Sequence, residues 1–130
     1  MGAWGLGSFE NDTALDWAGD LMETRGLSVL KKALDIAPGQ SLDADEGSEA
    51  IAAAEIVAAL IGRGRGELPE GVAEWMATLA PAEAQALRGH ALQALDAVLS
   101  EESELRELWA ETEDFEAWKG DVEALKALFG

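Results

Sequence analysis

Cysteine is absent from this chain. That excludes disulfides, thiolate metal ligands and a cysteine nucleophile, and it fits a reducing compartment. Histidine occurs once, at His90, so a paired-histidine metal site is excluded as well. Tyrosine is absent, β-branched residues are sparse, and no segment alternates apolar with polar residues as a half-buried strand does. Basic residues are few: nine Lys and Arg stand against 26 Asp and Glu, a formal charge of −17. Such a field repels phosphate backbones and disfavours ordinary nucleic-acid binding. Long hydrophobic runs are missing too. The longest, Ala50 to Ile61, is broken by Glu55 and is too short to cross a bilayer. The opening residues lack the basic and apolar regions of a secretory signal. Leu6 stands where a myristoylation motif needs Ser or Thr. The expectation is a cytoplasmic protein with neither a membrane nor a nucleic-acid partner.

What is present suits one ordinary domain, residues 1–130, with 48% hydrophobic residues to build its core. Residues 2–9 read as a glycine-rich loop. Asn11 or Asp12 can cap a first helix, which carries Ala14, Trp17, Ala18 and Leu21 on one face. A second helix is expected from about Leu27 to Ile36, ended by Pro38-Gly39. Asp43 with Glu46 has the spacing of a capping box. The helix it opens is apolar on nearly every side as far as Ile61, the pattern of a central buried helix. Further helices are expected after Pro69, after Pro81 with Leu87, Ala91, Leu95 and Val98 on one stripe, and after Ser100 or Ser103. A last helix sets Phe115, Trp118, Val122, Leu125 and Phe129 on one face. The fold class is all-α, a compact bundle of about six to seven helices behind a glycine-rich N-terminal loop.

The first 21 residues carry a distinctive string: Gly2, Trp4, Gly5, Gly7, Phe9, Asn11, Asp12, Ala14, Asp16 and Trp17. This resembles the opening of a bacterial family, DUF4259. The Leu42 to Asp45 stretch with Ala50 to Leu60 is similar to that family's middle segment, and Ser103 to Leu105 with Leu108-Trp109 to its end. The resemblance implies a helical domain over nearly the whole chain. It carries no activity.

Each candidate site has a plainer alternative. Gly2, Gly5 and Gly7 could admit an anion to backbone N–H groups, but neither a dinucleotide fingerprint nor a P-loop is present. A tight loop that tucks Trp4 and Phe9 onto the helices is the simpler account. Asp12, Asp16 and Asp20 recur on successive turns and could share Mg²⁺ or Ca²⁺, or could form a solvated, capped face. Glu55 is the one charge between Ala50 and Ile61. Buried, it needs an arginine, a metal, or hydrogen bonds from Asn11 or an indole. With a raised pKa it could act as an acid or base, and otherwise it ties the helix to a neighbour or to the N-terminal loop. The Asp43 to Glu49 stretch fails the EF-hand spacing, and capping explains it better. His90 lies off its helix's apolar stripe, and no nucleophile or orienter is spaced around it for a triad. Arg63 and Arg65 read as ordinary loop charges or as a dock for an acidic group.

No catalytic residue and no cofactor is assigned. The expected function is a non-enzymatic acidic interaction module, immunity- or inhibitor-like, binding a basic protein. Its candidate binding residues are Trp4, Asn11, Asp12, Asp16, Asp20 and Glu55. The alternative is a Mg²⁺ or Ca²⁺ site of Asp12, Asp16 and Glu55 beneath the N-terminal loop, serving an enzyme or a sensor.

Overall fold

Short polar side chains start three of the helices where the sequence places them. The structure is a computed structural model that describes residues 5, 7–37, 39–66 and 68–129, the side chain at 81 excepted. Trp4, Gly2 and Leu6 lie outside the described residues. Asn11 Oδ1 accepts from Ala14 N at 2.8 Å and caps α1, Asp12–Met22. Leu27 precedes α2, Ser28–Leu34, without a side-chain cap. Asp43 and Glu46 form the expected reciprocal capping box at the start of α3, Ala44–Leu60. α4 is Val72–Met76, α5 is Pro81–Gln85 and α6 is Arg88–Val98. Of the two serines offered as the next cap, Ser103 serves, accepting from Arg106 N at the head of α7, Glu104–Ala110. α8, Phe115–Ala127, closes the chain.

Among the described residues there are eight helices and no strand. The expected six to seven become eight because the helix opened at Pro81 divides. Its backbone turns through Ala86 and Leu87 with i to i−3 bonds before α6 resumes. The stripe Leu87, Ala91, Leu95 and Val98 is buried across that break.

α3 is the axis of the molecule. It packs against α1, α2, α5, α6, α7 and α8. Twelve of its 17 residues are buried, so an amphipathic face is replaced by an all-round apolar surface. Alanines at 50, 52, 53, 54 and 58 present little bulk, which lets neighbouring helices approach closely. Ala14, Trp17, Ala18 and Leu21 of α1 and Trp118, Val122 and Leu125 of α8 are buried in the same core, as their spacing predicts.

Two local devices fix the ends of α3. At its start, an isolated parallel bridge joins Leu42 to Ser103, and Glu104 accepts from Ala44 N at 2.8 Å. The heads of α3 and α7 are thereby pinned together although 60 residues separate them in sequence. At its end, Gly62 takes φ +81°. Arg63 N reaches Ala58 O at 2.8 Å and Gly62 N reaches Ala59 O at 3.2 Å. That paired termination needs a left-handed residue, which glycine supplies without a Cβ clash. The chain then turns so that Arg63 and Arg65 point back over the bundle.

Candidate functional site

Glu55 lies two-thirds of the way along α3 and is 7% exposed. Its carboxylate accepts from Arg65 Nε at 3.2 Å and Nη2 at 3.0 Å, and from the Ser8 hydroxyl. Arg65 extends further to Asp121 of α8, donating from Nη1 at 3.0 Å and Nη2 at 3.1 Å. One guanidinium therefore bridges two carboxylates, using its planar fork on both. Burial works against the Arg65 charge, but the bonds to Glu55 and Asp121 outweigh it and hold its pKa above the usual value. The clamp ties the N-terminal loop, α3, the 62–66 loop and α8 into one unit. Of the partners considered for Glu55, an arginine is the one found. Asn11 caps α1 instead, and the Trp75 indole donates to Thr24 O.

The described part of the N-terminal loop folds tightly here. Glu10 N bonds Gly7 O, and the Glu10 carboxylate returns to Gly7 N. A Cβ at Gly5 or Gly7 would stand 2.5 Å from that carboxylate, so the side chain could not lie where it does.

Two cavities open on either side of Ser8 and Asp121. One, about 450 Å³, is bounded by Phe9, Glu10, Glu55 and Arg65. The other, about 180 Å³, has an apolar floor of Ile51, Leu105, Leu108, Val122, Trp109 and Trp118. Its polar lining is Asn11, Thr13, the exposed Asp45 and the buried Ser48. The two indoles stack at 6.1 Å with their planes 10° apart, and Phe115 stacks on Trp118 at 6.2 Å. Offset aromatic stacking of this kind stiffens the wall.

Asp12, Asp16 and Asp20 are exposed on the outer side of α1. None of the three lines the cavities beside Glu55. Among the described residues, no group of three or more His, Asp or Glu side chains is placed to hold a metal ion. The α1 acids meet a different set. Thr13 donates to Asp45 at 3.1 Å, which docks the head of α1 on the head of α3. Asp20 lies close enough to Glu49 to act on its charge. Burial, then Asp45, Asp43, Glu46 and Asp20, push the Glu49 carboxyl above its ordinary value of 4.5. The result is an acidic belt that joins Asp20 of α1 to the acids at the start of α3.

Ser8, Asp121 and the Trp109–Trp118 wall were not singled out as site residues by sequence. Asp121 sits three residues after Trp118, on the edge of the buried stripe, and that position was its available signal.

Fold and site together define an all-helical, acid-faced domain organised around an arginine clamp on the buried Glu55 and a tryptophan-walled cleft. The family model described as a domain of unknown function, DUF4259, matches residues 2–121. The chain belongs to that family. No curated protein and no solved structure matches it.

Proposed function

We propose that this domain is a non-enzymatic interaction module that binds a basic protein through the acidic belt of α1 and α3. One observation supports the reading above others: among the described residues the belt has no ion-pair partner. The ion pairs among the described residues are Lys31–Asp35, Lys126–Asp96 and the two made by Arg65. None uses Asp12, Asp16, Asp20, Asp43, Asp45, Glu46 or Glu49. Crowded like charges cost folding free energy, and an opposing positive surface removes that cost on binding. An inhibitor or immunity protein that covers a basic target is one concrete form of such a module.

The Mg²⁺ or Ca²⁺ alternative draws less support. Arg65 supplies at Glu55 the positive charge that a metal would bring. An acid or base role for Glu55 is likewise disfavoured by the three hydrogen bonds its carboxylate already accepts.

The test is affinity for a basic protein partner measured across ionic strength, with the Asp12→Asn, Asp16→Asn, Asp20→Asn triple variant alongside. Affinity should fall steeply with salt, and the variant should bind about tenfold or more weakly with a flatter salt dependence. Binding that is unchanged in high salt would overturn the reading.

A further inference from the structure

The acidic belt does not end in open solvent. Asp45 belongs both to the belt and to the rim of the 180 Å³ cavity walled by Trp109 and Trp118. We propose that this cavity seats one large aliphatic side chain of the basic partner, flanked in the partner's sequence by Lys or Arg that lies on Asp45. The proposal rests on the interaction reading above and names one contact of that interface.

Three observations argue for that occupant. First, Ile51, Leu105, Leu108 and Val122 give the cavity an apolar floor, and burying an aliphatic group against them is favourable. Second, a volume of about 180 Å³ lies below the roughly 300–1,000 Å³ usual for small-molecule sites. It suits a single anchoring side chain, the arrangement found at the centres of protein interfaces. Third, the charge beside the cavity is one-sided. Asp121 is matched by Arg65, whereas among the described residues Asp45 receives only the Thr13 hydroxyl and faces the belt. An incoming chain therefore finds its cation site on the α1–α3 side.

The test is a titration of ¹⁵N-labelled full chain with three probes: a capped Lys-Leu-Lys tripeptide, a capped Glu-Leu-Glu tripeptide and 3-methylbutylamine. The readout is the indole N–H signals of Trp109 and Trp118 together with the backbone amides. The basic tripeptide should shift both indoles saturably, and the acidic one should not. Ser48→Leu, which fills the cavity from α3, should weaken the effect about tenfold, equivalent to about 1.4 kcal/mol. Asp45→Asn is exposed and keeps the fold if Ser48→Leu does not, and it should weaken binding about threefold. Shifts confined to α1 and α3 amides, with both indoles still, would sink the cavity assignment and leave the interaction reading standing. No shift at any site would count against both. If the amine alone bound as well as the tripeptide, the cavity would belong to a small organic cation, and the partner's side chain would be the wrong occupant.

Discussion

Arg65 makes two of the four ion pairs found among the described residues. Two carboxylates from different helices converge on it, and its side chain is only 24% exposed. Arg65→Met would leave Glu55 buried with only the Ser8 hydroxyl. The expected loss is about 2–4 kcal/mol, below the value for a fully buried pair because water still reaches the guanidinium. Glu55→Gln should cost less, about 1–2 kcal/mol, since the amide oxygen still accepts and Arg65 keeps Asp121. Urea unfolding midpoints of the two variants check the order. Glu49 makes a prediction of opposite sense. Its folded pKa is raised, so the folded state binds the extra proton more readily than the unfolded state. Its contribution to stability is full below the ordinary value of 4.5 and is lost as pH rises through the folded pKa. Glu49→Gln should therefore melt above wild type at pH 7, and the two should converge as pH falls below that ordinary value. A gap independent of pH would show that the carboxyl is not the cause.

The helices respond to substitution according to where glycine sits in them. Gly62 ends α3 at φ +81°, and the turn it makes aims Arg63 and Arg65. Gly62→Ala forces a Cβ into the left-handed region at a cost of about 1–2 kcal/mol. Amide exchange in the 62–66 loop should quicken with it. Gly19 stands exposed inside α1 with nothing within 4 Å of an added Cβ. Gly19→Ala should instead stabilise the protein by about 0.5–1 kcal/mol. Thermal melts of the pair, run together, test whether glycine is required by the turn alone. Element boundaries were legible where capping chemistry marks them: Asn11, Asp43 with Glu46, and Ser103 all cap as their sequence spacing predicts. The division of α5 from α6 was not, because no proline or glycine marks Ala86-Leu87 and only the local backbone turn separates the two.

For the whole molecule, 26 acids against nine bases make self-repulsion a general term in stability. The melting temperature should rise between low ionic strength and about 0.5 M salt, where the screening length falls to a few ångström. Any monovalent salt should do this equally well. A selective rise with micromolar Mg²⁺ or Ca²⁺, lost in Asp16→Asn, would instead support a carboxylate metal site. No helix among the described residues is long and apolar enough to cross a membrane.

The sequence by itself determined the helices apart from the division of α5 from α6, the central place of α3 and the faces that form the core. Those follow from side-chain periodicity and capping, which act within a few residues of one another. It also marked Glu55, because a lone charge within the apolar run Ala50 to Ile61 must be compensated somewhere. Only the tertiary structure decided what compensates it. Arg65 lies ten residues away across a glycine turn, and Asp121 lies 56 residues beyond Arg65. Which of the chain's many carboxylates share a cation depends on helix packing rather than on local spacing. The same holds for Asp20 and Glu49, and for Trp109 and Trp118. Each pair is brought together by the crossing of two helices around α3, a relation that periodicity along either helix does not contain.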